Sequence, residues 1–160
     1  RGYFYESYNQ QKMSELGIDT ILVQDNQSYS QKGVIRGLHF QRPPFAQAKL
    51  VRVIKGKVLD VAVDIRKSSP TYGQHYSVLL TGDNHRQFFI PEGFAHGFVA
   101  LEDNSIFTYK CSQFYHKEAE MSIRYNDPIL NIDWGLDEVP IMTEKDLCGV
   151  LFDQFNTPFE

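Results

Sequence analysis

Residues 49–65 read KLVRVIKGKVLDVAVDI, and their alternation decides the fold. Lys49, Val51 and Val53 fall on one side of an extended chain, and Leu50, Arg52 and Ile54 on the other. Lys55-Gly56-Lys57 interrupts the run with a turn signal. Beyond it, Val61, Val63 and Ile65 share one face, while Asp60, Ala62 and Asp64 share the opposite one. Two carboxylates and an alanine mark that second face as something other than simple core. It looks out to water or into a polar cavity, and strand chemistry alone favours water.

Similar runs continue to either side. ILVQD (21–25), VIRGLHF (34–40), YSVLL (76–80), QFFI (87–90) and SIFTYKC (105–111) are short, β-rich segments. Ser69-Pro70, Gly82-Asp83-Asn84 and Glu102-Asp103-Asn104 separate them as turns. Strands at such spacing predict an all-β sandwich or barrel. Helical pattern is scarce. Residues 8–17 form one expected helix, stopped by Gly17, and residues 143–152 another, with Thr143 as N-cap. No internal repeat, linker or second domain interrupts the 160 residues, so 1–160 is expected to be a single domain.

With 42% hydrophobic and 14% aromatic residues, the chain can build a core and is not of the disordered class. Its 16 basic and 20 acidic residues leave a net charge of −4, which argues against nucleic acid as a bulk electrostatic partner. That balance leaves room for a local basic pocket around a small anion. Cys111 and Cys148 form neither a disulfide framework nor a zinc motif, and are expected to be free buried thiols in a reducing cytosol. No apolar run approaches the ~20 residues of a membrane span, and no signal peptide is visible.

Two histidines stand inside apolar runs, His39 in GVIRGLHFQ (33–41) and His96 in IPEGFAHGF (90–98). The P-x-G-x-x-H pattern of residues 91–96 looks like the second half of a cupin signature. A metal-binding cupin also needs an H-x-H pair, and here the corresponding place reads His39-Phe40-Gln41. His75, His85 and His116 lie in loop-like polar contexts, so three or four converging ligands are not in sight and no metal is expected. Core packing and catalysis remain for His39. Arg36 lies three residues away, on the opposite side of a regular strand, Gln41 returns to the His39 face, and Lys49 follows a proline-rich loop. Cations beside a histidine are a costly way to build a core and a useful way to hold a phosphate or an enolate.

RGLHFQ, AQAKLVRV, VLDVAVDIRKSSPTYGQ, RQFFIPEGFAHGF and FTYKCSQFYH, in this order and spacing, resemble the dTDP-4-dehydrorhamnose 3,5-epimerase family. The likeness runs from RGYFYESYN at the start to EKDL at 144–147. The resemblance implies a cupin-type jelly roll acting as a homodimer, with no cofactor and no metal. The chain opens at the family's RG-x-F-x-E segment, without the strands that normally precede it.

The substrate so implied is a dTDP-linked 4-keto-6-deoxyhexose, whose C3 and C5 flank the C4 ketone and are acidified by enolate formation. Carried over by position, His39 resembles the general base and Asp146 its orienting carboxylate. Tyr109 resembles the acid on the opposite face, and Lys49 the residue at the developing enolate. Without the resemblance, Tyr109 reads as core packing and Asp146 as a first-turn helix acid. Arg1, Glu6, Gln24, Asn26, Arg36, His96, Glu120 and Lys145 stand where the family contacts nucleotide and sugar. Of these, Arg1, Arg36 and Lys145 suit negative charge. Tyr115 matches the aromatic that stacks on thymine, and Asp60 is a candidate partner of His96. The expected activity is C3 and C5 epimerisation toward dTDP-L-rhamnose. An epimerase acting at one centre and a non-catalytic nucleotide-sugar-binding cupin are the alternatives.

Overall fold

The computed structural model describes all 160 residues. Nine strands carry the fold: β1 (Gln24–Ser30), β2 (Ile35–Gln41), β3 (Lys49–Lys55), β4 (Lys57–Asp64), β5 (His75–Thr81), β6 (Gln87–Ile90), β7 (Phe94–Ala100), β8 (Ser105–Cys111) and β9 (Glu120–Ser122). They form two antiparallel sheets, ordered β1-β8-β3-β6 and β5-β4-β7-β2-β9. The only α-helices are short, α1 (Gln10–Glu15) and α2 (Glu144–Leu147). No helix is long and apolar enough to cross a membrane.

The run that reads as one long alternation is thus two strands in different sheets. Gly56 makes the crossing at φ 85°, and a Cβ there would lie 2.3 Å from Ser105 Oγ. Val51, Val53, Val58, Ala62, Leu80, Ile90, Phe98 and Phe107 fill the space between the sheets at one end. A second cluster lies on the outer face of the five-stranded sheet. There Ile35, Leu38, Phe40, Val61, Val63 and Ile65 pack under Ile123, Leu130, Trp134, Phe152 and Phe155 of the C-terminal segment.

That covering layer corrects the reading of β4. Val61, Val63 and Ile65 do face an apolar core, but Asp60 and Asp64 do not face water: they are 0% and 1% exposed. With one face covered by the C-terminal segment, the other turns into the barrel. Asp64 is satisfied there by Arg66 Nε and N–H at 2.9 and 3.0 Å and by the hydroxyls of Ser69 and Thr71, both at 2.6 Å. Burial pushes its carboxyl up, but these donors outweigh burial and hold it far below the ordinary carboxylate range. A depressed value stabilises the fold above the unfolded-state value, near ~3.9, and the contribution fades as pH falls through the folded value. Asp64→Asn is therefore expected to lose about 3 kcal/mol at neutral pH, with the gap to the parent narrowing below about pH 4, read by urea unfolding across pH.

Other expectations shift for equally local reasons. β1 begins at Gln24, so Ile21 and Val23 of the ILVQD run stay outside it and are exposed. α1 is shorter than residues 8–17: Asn9 caps it by accepting from the Lys12 N–H at 3.0 Å. The 143–152 helix ends at Leu147 because Val150 leaves to form a parallel bridge with Ile123. His75 opens β5 rather than lying in a loop, and Cys148 is exposed, while Cys111 is buried as expected.

Candidate active site

The site begins with an irregularity in β2. Its register against β7 slips between Arg36 and His39. Ile35, Leu38 and Phe40 all join the outer cluster, so the residues between them, Arg36 and His39, both turn into the barrel. A regular strand would have set these two on opposite sides; the extra residue of the bulge brings them together. Gly37 occupies the slip at φ 132°, where a Cβ would lie 2.5 Å from Gly97 Cα. Its N–H, diverted from the ladder, donates to Asp146 Oδ2 at 3.2 Å.

Asp146 lies in α2, whose N-cap Thr143 accepts from the Asp146 N–H at 3.3 Å. The other carboxylate oxygen meets His39 Nε2 at 2.5 Å. Burial would raise the Asp146 carboxyl, but the hydrogen bond and charge of His39, followed by the Gly37 N–H and Lys145, bring it below its ordinary value. An ionised Asp146 selects the imidazole tautomer protonated at Nε2 and leaves Nδ1 with the lone pair. The His39 side chain is 27% exposed, open enough to meet a ligand.

Tyr109 on β8 and Lys49 on β3 come from the other sheet and so from the facing wall. Lys49 Nζ sits 5.7 Å from the Tyr109 ring centroid. Lys49 is 8% exposed and has no ion-pair partner, and burial lowers its ammonium below the ordinary value despite nearby Cys111, Asp60 and Glu120. Burial, with Cys111 beside it, raises the Tyr109 phenol, which therefore stays protonated at neutral pH. A histidine, a protonated phenol and a buried lysine thus converge from two sheets.

A second histidine–carboxylate pair lies beside the first. His96 is the register partner of His39, and its Nε2 meets Asp60 Oδ2 at 2.8 Å. Burial lowers the His96 imidazole, and the charges of Lys49 and His39 lower it further, against the opposing effect of Asp60. The inward carboxylate of β4 is therefore the partner of His96.

His39, Asp146, Tyr109, Lys49 and His96 line a cavity of about 320 Å³ together with Arg36, Glu120 and Lys145. A smaller recess of about 80 Å³ adjoins it, sharing His39, Lys49, Tyr109 and Glu120 and adding Gln24, Asn26 and Tyr115. Glu120 accepts from the Tyr115 hydroxyl at 2.8 Å and from Lys145 Nζ. Burial would raise its carboxyl, but these two donors hold it below the ordinary value. Arg1 and Glu6 border neither cavity; Glu6 pairs with Lys12 at 2.9 Å. Gln27, Ser28, Phe98 and Thr143 line the main cavity without having been anticipated. Ser28 carried a signal: it follows Gln24 and Asn26 at period two, and its hydroxyl has no protein partner. The apolar residues before β1 drew the strand assignment away from it.

The chain resembles known proteins along almost its whole length. The model of the dTDP-4-dehydrorhamnose 3,5-epimerase family matches residues 1–154. A dTDP-4-dehydrorhamnose 3,5-epimerase of Methanothermobacter thermautotrophicus is 53% identical over 148 residues, covering 91% of this chain and 80% of that protein. One of Salmonella typhimurium is 52% identical over 155 residues, covering 96% and 85%. The crystal structure of a dTDP-6-deoxy-D-glucose-3,5-epimerase of Legionella pneumophila, in complex with dTDP-4-keto-L-rhamnose, superposes with a TM-score of 0.93. It shares 52% identity, over 97% of this chain and 82% of that one.

Proposed function

Because the chain belongs to the dTDP-4-dehydrorhamnose 3,5-epimerase family, we propose that it inverts C3 and C5 of dTDP-4-keto-6-deoxy-D-glucose through enolate intermediates, giving dTDP-4-dehydro-L-rhamnose. The observation that carries this reading is the pairing of the His39–Asp146 dyad on one wall with Tyr109 and Lys49 on the other.

The chemistry follows from that arrangement. The C4 ketone makes the protons on C3 and C5 acidic. His39 Nδ1 removes one of them, and Asp146 stabilises the imidazolium. The electron pair moves onto the C4 oxygen, where Lys49 meets the developing charge. Tyr109, still protonated, delivers its proton to the opposite face of the same carbon. His39 then releases its proton to solvent and Tyr109 regains one. Bonding at each carbon is restored with inverted configuration and no change in oxidation state, so no redox partner is needed. Arg36 and Lys145 suit the sugar oxygens or diphosphate, and the recess near Tyr115, Gln24 and Asn26 suits the base. His96, held by Asp60, and Glu120 complete the sugar-contacting set.

Arg1 and Glu6 fit this reading in a homodimer, where the N-terminal segment reaches a partner's site; within its own chain it runs elsewhere. Sedimentation analysis is expected to give twice the chain mass, and a fully active monomer would count against the dimer. A reducing cytosol is the proposed compartment and dTDP-L-rhamnose formation the proposed pathway. The activity itself is tested by incubating the protein with dTDP-4-keto-6-deoxy-D-glucose and reading ring-proton couplings by NMR. Inversion at both carbons supports the proposal. Inversion at one marks a single-centre epimerase, and unchanged sugar with bound nucleotide marks a non-catalytic binder.

A further inference from the structure

Gln41 ends β2 and is 3% exposed, in the place where the H-x-H comparison lacked its second histidine. Its amide is fully engaged, and every partner is main chain. Nε2 donates to the carbonyls of Phe45 at 2.7 Å and Phe114 at 3.2 Å, and Oε1 accepts from the His116 N–H at 2.7 Å. These partners lie on two loops, residues 42–48 and 112–116. An amide is the side chain that serves two carbonyls and one N–H at once; a carboxylate or a thioether does not.

The same loops are tied at further points. Gln47 Nε2 donates to the Gln113 carbonyl at 2.7 Å, and Ser112 Oγ accepts from the Ala48 N–H at 2.7 Å. The rings of Phe45 and His116 stack with centroids 3.6 Å apart. This frame presents two aromatic rings to solvent beside the small recess, Phe114 at 59% and Tyr115 at 53% exposure. Exposed rings of this kind keep a fixed spacing only if their backbone is held, and Gln41 is the buried group that holds it.

We infer that Gln41 is a positioning residue for the nucleotide end of the substrate, setting the aromatic rim through the two loops rather than acting on the reacting atoms. The inference rests on the proposed function, which supplies the nucleotide. The reacting carbons are served by His39, whose aim is fixed separately by Gly37 and Asp146. Binding and chemistry should therefore separate.

The test uses Gln41→Met, Gln41→Glu and Gln47→Met, with dTDP as the calorimetric probe and the keto-sugar as substrate. Gln41→Met is expected to raise the Kd for dTDP and the KM together by about tenfold, with kcat within about twofold of the parent. Gln41→Glu, which turns a carboxylate toward two carbonyls, should raise both further. Gln47 is only partly buried, so Gln47→Met keeps the test open even if the Gln41 variants fail to fold; it should shift Kd and KM the same way, by about threefold. Unchanged dTDP affinity in the folded variants, or a fall in kcat at constant KM, would overturn the inference. A parent protein that neither binds dTDP nor epimerises would instead overturn the proposed function.

Discussion

His39→Ala is expected to abolish epimerisation at both carbons and exchange of their protons with solvent, by about 10²–10⁴-fold or more. The expectation rests on where His39 stands. Its ring is backed by the Asp146 carboxylate and lines the cavity at 27% exposure, whereas the other histidine of the cavity, His96, is buried against Asp60. Tyr109 cannot substitute, because burial keeps its phenol protonated, and Lys49 comes from the Tyr109 wall. Asp146 loses one partner in the variant but keeps the Gly37 N–H and the Thr143 cap, so the fold should survive at a cost of about 1–3 kcal/mol. Loss of inversion with retained exchange would show that another group removes the proton.

Tyr109→Phe should behave differently. It removes one hydroxyl and keeps the ring against Phe107, so stability should fall by no more than about 1 kcal/mol. The enolate still forms, because His39, Asp146 and Lys49 are untouched. His39 exchanges the proton it has taken with solvent and returns a solvent-derived one to the same face. Solvent exchange into the substrate is expected to persist while inversion drops by about 10²-fold or more. NMR in D2O separates the two processes in one sample. A variant that inverts both centres at the parent rate would make Tyr109 a packing residue.

What could be read in the chain, and what could not, divides along physical lines. SIFTYKC and QFFI coincide with β8 and β6 because period-two alternation between turns is a local property. The KGK turn was equally visible, but that it carries the chain from one sheet to the other was not, since sheet membership depends on distant partners. The bulge at Gly37 escaped for the same reason. It exists only relative to β7, and it alone turns Arg36 to the His39 side. For Asp60 and Asp64 the strand pattern alone leaves water and a polar cavity open and favours water, because nothing in β4 announces the C-terminal layer over its other face; the pairing of Asp60 with His96 is present. At the site, the resemblance supplied roles for His39, Tyr109, Asp146 and Lys49. The cavity joins them to Arg36, His96, Glu120 and Lys145, and the adjoining recess to Gln24, Asn26 and Tyr115. It leaves out Arg1 and Glu6, which a single chain does not bring there.

The central claim is that each of two carbons passes through an enolate and is reprotonated from solvent on its other face. The direct measurement is turnover of unlabelled dTDP-4-keto-6-deoxy-D-glucose in D2O, with mass and NMR analysis of the product. The account predicts deuterium at both C3 and C5 of a sugar inverted at both. Inverted product carrying deuterium at neither carbon, or at only one, would contradict it.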